Sequence, residues 1–117
     1  MGLLSKLTGR GIGPAEAEVL VAEGAVLVDV RERSEWTAGR VPGAVHMPLG
    51  GIAGQVQRLP QDRKVVVVCR SGNRSSQATS LLRRAGIDAV NLDGGMRAWA
   101  AAGLPVVADG RKPGRVA

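Results

Sequence analysis

Four consecutive valines, Val65-Val66-Val67-Val68, constrain this chain more than any other feature. A strand with one wet face alternates apolar and polar residues. A strand that is apolar throughout has to be covered on both sides, as in the middle of a parallel sheet. Branching at Cβ stiffens these side chains and suits them to a pleated surface rather than a helix. Parallel neighbours need crossover connections, so the rest of the chain has to alternate strand and helix.

The flanking sequence reads that way. Gly13-Pro14 opens a helix expected through Glu16 to Glu23 and ended near Gly24, with proline suited to the first position. Val26 to Val30 reads as a buried strand, followed by a short helix around Ser34 to Ala38 with Ser34 as its N-cap. Val41-Pro42-Gly43 is a turn, Ala44 to Met47 a short strand, and a helix is placed between Gly51 and Leu59. A helix after Cys69 is expected to be capped by Ser75, with Ala78, Leu81, Leu82 and Ala85 as its apolar stripe. Arg83 and Arg84 oppose the dipole in its last turn and Gly86 ends it. Ala89 to Leu92 is a strand, Gly94-Gly95 a turn, and Met96 to Ala102 a helix. The expected division is an N-terminal segment 1–10, one α/β domain over 11–108, and a basic C-terminal tail over 109–117.

Composition narrows the function classes. The 117 residues include no Phe and no Tyr, so Val, Leu, Ile and Ala carry the packing, helped by Trp36 and Trp99. No apolar run approaches the roughly 18 residues that span a bilayer. The stretch from Met1 to Lys6 is too short for a signal peptide, and Lys6 breaks a myristoylation pattern. The expectation is a soluble, cytoplasmic monomer that contacts no membrane. Sixteen basic against ten acidic residues give a net charge of +6, part of it in Lys6, Arg10, Arg111, Lys112 and Arg115 near the ends. There is no aromatic interleaving, helix-turn-helix or zinc pattern, so nucleic acid is not expected as a partner; a cationic surface favours small anions. One cysteine and one histidine supply neither a disulfide nor a four-ligand zinc site, and no cofactor or metal is expected. Gly11-Ile12-Gly13 is no dinucleotide fingerprint, because Pro14 follows and no third glycine is in register.

The chemistry concentrates after the valine run, in Cys69-Arg70-Ser71-Gly72-Asn73-Arg74-Ser75. Ligands of open α/β sheets bind beyond the carboxyl ends of the strands. Backbone N–H groups of such a turn converge with those of the following helix and can hold an anion. Gly72 allows the tight curl. These dipoles, with Arg70 and Arg74, favour the thiolate of Cys69 and make it a nucleophile. A lone buried cysteine is more often inert, but two arginines and a glycine within five residues argue for chemistry here.

Cys69 to Ser75 resembles the active loop of the rhodanese family, in which a cysteine opens a six-residue loop between strand and helix. The stretch from Asp29 to Trp36, continuing from Gly39 to Pro48, resembles the family's N-terminal motif, and Val90 to Trp99 its C-terminal one. Arg40 departs from the histidine of many relatives and is expected at the surface with little consequence. The resemblance implies an α/β fold with a five-stranded parallel sheet flanked by helices on both faces. It also implies a sulfurtransferase in which Cys69 takes sulfur from thiosulfate or a persulfide donor. The persulfide then passes it to cyanide, a thiol or a sulfur-relay protein. Arg70 is the expected anion contact, and Arg74 either a second one or a brace paired with a carboxylate. Ser75 is expected as a cap first and a sulfur donor second. Asp29 and Arg31 are expected as structural support, Glu35 as a helical partner of Arg31, and His46 as a backbone hydrogen-bonder.

Two other functions place a similar loop on a similar fold. Phosphatases and arsenate reductases of related fold place five residues between cysteine and arginine, against four between Cys69 and Arg74, a tighter ring suited to one sulfur atom. A non-catalytic or relay module is the other alternative; inactive members of the family typically lack the cysteine, which is present here.

Overall fold

The structure is a computed structural model that describes residues 11–117. The expected N-terminal segment 1–10, with Lys6 and Arg10, lies outside the described residues. The elements run α1 (Pro14–Ala22), β1 (Val26–Asp29), α2 (Arg33–Ala38), β2 (Val45–His46), a 3₁₀ stretch (Leu49–Arg58), β3 (Val65–Val68), α3 (Asn73–Arg84), β4 (Ala89–Asn91) and α4 (Gly95–Ala101). A short 3₁₀ turn follows at Asp109–Arg111.

All strand pairs are parallel, in the order β2-β1-β3-β4. The four valines form β3, an inner strand with every residue buried. Their alternation splits the core in two. Val65, Val67 and Cys69 join Val28, Met47, Ile52, Ala78 and Leu82 on the face covered by α3 and the 3₁₀ stretch. Val66 and Val68 join Leu27, Ala17, Leu92, Met96 and Trp99 on the face covered by α1 and α4. A strand between two apolar layers has no use for a polar position.

Several expectations are corrected. The described residues form a four-stranded sheet, not a five-stranded one. The position beside β4 holds an isolated parallel bridge between Ile12 and Leu92, with Ile12 N–H donating to Asn91 O at 2.8 Å. Pro14 opens α1 two residues later, so among the described residues the pairing beyond β4 is this bridge alone. Glu32, not Ser34, caps α2, in a capping box with Glu35. The segment placed between Gly51 and Leu59 is a 3₁₀ run; Gly50, Gly51 and Gly54 in it weaken the α-helix, and Ile52 anchors it to the core.

Residues 109–117 are not a free tail. Arg40 and Val107 exchange backbone hydrogen bonds at 2.9 Å, Gly114 N–H donates to Val106 O at 2.9 Å, and Arg115 N–H to Ala38 O at 3.0 Å. Arg40 is no passive surface residue either: it pairs with Asp109 and lies over the Trp36 ring, 4.9 Å from its centroid.

Candidate active site

The valine run ends at Cys69, and α3 begins at Asn73, so the loop between them sits at the carboxyl end of an inner strand. Gly72 is the N-cap of α3 in the left-handed region, φ +113°. That turn aims the Gly72 N–H at Cys69 Sγ, 3.1 Å away. The Ser75 hydroxyl donates to the same sulfur at 3.2 Å. Ser75 thus makes no side-chain cap for α3, contrary to expectation, because its hydroxyl is turned inward and fully buried. Cys69 is only 1% exposed, so its sulfur forms the floor of the ring rather than part of the open surface.

Burial pushes the Cys69 thiol up, but the Ser75 hydroxyl and the amides of Ser75, Gly72 and Ser71 outweigh it and hold the thiol below its ordinary value. The leading stabilisers of the thiolate are therefore hydrogen bonds, where the sequence pointed to arginines as well. Two donors hydrogen-bonded to the sulfur, with further amides nearby that favour its charged form, suit a thiolate or the terminal sulfur of a group bonded to it.

The two loop arginines part company. Arg74 forks onto Glu35 of α2, with Nη1 to Oε1 at 2.7 Å and Nη2 to Oε2 at 2.8 Å. That bidentate hydrogen bond draws the Glu35 carboxyl down to about 2 and raises Arg74. Glu35 is consequently hydrogen-bonded to Arg74, and Arg31 acts on it only as a nearby charge. Arg70 is exposed beside Cys69, and its Nε donates to Ala117 O at 2.9 Å. Ser71 and Asn73 are exposed at the rim.

Asp29 and Arg31 lie in the strand layer next to the loop, where Asp29 is in register with Val68. Both are fully buried, and Arg31 Nη2 reaches Asp29 Oδ2 at 2.8 Å and Gly39 O at 2.6 Å. This pair ties the end of β1 to the end of α2 and so carries Glu35 toward Arg74. His46 Nε2 lies 2.7 Å from Arg31 O, and its ring stacks on Trp36 with centroids 4.6 Å apart. Trp99 packs in the core and donates to Pro105 O at 2.8 Å.

Two supports were not read from the sequence. Asn91, at the end of β4, donates through Nδ2 to Gly72 O at 3.4 Å and to Asp93 Oδ1 at 3.0 Å. Gly95 lets α4 abut the loop: Met96 N–H donates to Cys69 O at 2.8 Å and Arg97 N–H to Arg70 O at 3.1 Å. A Cβ on Gly95 would lie 2.4 Å from Cys69 O. The Gly94-Gly95 pair was the available signal, though it read only as a turn. Among the described residues no group of three or more His, Cys, Asp or Glu side chains could hold a metal ion.

Comparison with known proteins fits this geometry. Residues 13–102 match the rhodanese-like domain. The chain is similar to a sulfurtransferase of Allochromatium vinosum, 45% identical over 74% of this chain and 81% of that one. It is 37% identical to a thiosulfate sulfurtransferase of Pseudomonas savastanoi pv. phaseolicola over 79% of this chain and 88% of that one. The crystal structure of a rhodanese-related protein from Thermoplasma volcanium superposes with a TM-score of 0.79 at 31% identity, covering 84% of this chain and 97% of that one.

Proposed function

The chain belongs to the rhodanese-like family, and on that premise we propose that it is a thiosulfate-type sulfurtransferase carrying sulfur as a Cys69 persulfide. The observation that carries the reading is the pair of donors on one buried sulfur, Gly72 N–H at 3.1 Å and Ser75 Oγ at 3.2 Å. The thiolate attacks the outer sulfur of thiosulfate; a new S–S bond forms, the donor's S–S bond breaks, and sulfite leaves with the electron pair. Cyanide or a thiolate then attacks the outer sulfur of the persulfide and regenerates the Cys69 thiolate. No oxidant is consumed, and the hydrogen bonds that hold the thiol below its ordinary value lessen the need for a base partner.

The roles divide along the geometry. The loop amides hold the ionised sulfur, Arg70 receives the anionic end of the donor, and Arg74 with Glu35 braces the loop. The engagement of Arg74 also weighs against a phosphatase. A tetrahedral oxyanion needs an arginine free to fork onto it, whereas here that fork is filled by a carboxylate.

The test is steady-state thiosulfate:cyanide transfer. Cys69→Ser is expected to abolish it, and Arg70→Ala to raise KM by about tenfold with less change in kcat, as for a contact made alike in ground and transition states. Transfer that survives Cys69→Ser would overturn the assignment.

A further inference from the structure

The residues beyond the matched domain reach the active loop. Val107 bridges both Arg40 and Pro113 in antiparallel sense, and Ala108 N–H donates to Lys112 O at 2.8 Å, making a tight hairpin of residues 106–114. Val106 and Val116 pack against the apolar face under α1 and α4. The fit is close: a Cβ on Gly114 would come 2.7 Å from Val107 C and 2.8 Å from Gly39 Cα. One on Gly39 would lie 2.3 Å from Arg115 O. Farther along the strap, Ala117 O accepts from Arg70 Nε at 2.9 Å.

The geometry points to this strap as a specificity element of the donor site, which fixes Arg70 so that its Nη1/Nη2 edge faces the incoming anion. This rests on the reading of Arg70 as the donor contact. A guanidinium takes an oxyanion through either its Nε/Nη edge or its end-on Nη1/Nη2 edge. Ala117 O occupies Nε, so the end-on edge is the one left for the ligand. Holding an exposed arginine in place also removes part of the rotamer entropy that anion binding would otherwise cost. The strap thereby favours small donors with a compact oxyanion head, such as the sulfonate end of thiosulfate, over neutral persulfides.

Cys69 alkylation tests this without requiring sulfur transfer. Rates with iodoacetate and with neutral iodoacetamide are compared in the native protein, Gly114→Val, Arg70→Ala and the double variant. Gly114→Val is expected to lower the iodoacetate-to-iodoacetamide ratio by about fivefold, the scale of one solvent-exposed charge pair. Arg70→Ala should lower it at least as far, and the double variant no further than Arg70→Ala alone. If Gly114→Val does not fold, truncation after Pro113 carries the same comparison. A ratio that rises on loss of the strap would show Ala117 competing with anions for Arg70 and would overturn the inference, as would multiplied losses in the double variant. A native protein that follows the expected pattern but moves no sulfur would remove the functional reading and leave the strap assignment standing.

Discussion

At Cys69 two opposed effects meet: burial disfavours the charged sulfur, and hydrogen-bond donors outweigh it. Ser75 is the one donor that a substitution can remove without touching the backbone. Ser75→Ala should move the midpoint of iodoacetamide alkylation to higher pH and slow the reaction below that midpoint by about three- to tenfold, the scale of one ordinary hydrogen bond. An unchanged profile would leave the thiolate to the amides alone. This part of the site was legible because it is local: cysteine, glycine and serine lie within seven residues, and turn chemistry links them. The inward turn of Ser75 ranked second in the sequence, behind a cap, since serine near a helix start ordinarily caps it. The Glu35–Arg74 fork was hidden for another reason. Its partners are 39 residues apart, and sequence alone offered Glu35 a nearer partner in Arg31.

Elements rather than single residues position the loop. α2 brings Glu35 to Arg74, and the folded pair lowers Glu35 from 4.5 to about 2. A depressed carboxyl binds fewer protons in the native state, so its stabilisation is complete above about pH 4.5 and is lost as pH falls through about 2. Glu35→Gln should therefore cost about 1–2 kcal/mol near neutrality, kept small because solvent reaches Arg74, and the gap to native should close toward pH 2. Denaturant unfolding at several pH values reads this directly; a gap independent of pH would contradict it. α4 presses on the loop from the other side. Gly95 has φ +58°, and a side chain there would meet Arg70 O at 2.6 Å. Gly95→Ala should cost about 2–3 kcal/mol and also slow Cys69 alkylation, because the helix cannot yield without moving the loop. Thermal unfolding and alkylation kinetics should shift together. The existence of these elements followed from periodicity and from glycine and proline punctuation. Their ends did not: α2 is capped by Glu32 in place of a serine, and α3 starts at the left-handed Gly72 while the Ser75 hydroxyl turns to the sulfur.

Over the whole molecule, the valine run carried the largest share of the legible fold. A strand buried on both faces implies helices on both, and the sheet order β2-β1-β3-β4 places β3 inside with the loop at its carboxyl end. The fifth strand, by contrast, was implied by family resemblance, and among the described residues it amounts to a single bridge at Ile12. The C-terminal strap escaped because basic, glycine-containing sequence resembles a solvated tail; its anchors, Arg40 with Val107 and Gly39 against Gly114, are long-range. The central claim is that this scaffold ionises one cysteine to hold one sulfur atom. Mass spectrometry after incubation with thiosulfate and removal of excess donor tests it most directly. The account predicts a gain of one sulfur atom, located on Cys69, discharged by cyanide and absent in Cys69→Ser. A native protein that stays at its original mass, or that carries the added sulfur in Cys69→Ser as well, would contradict it.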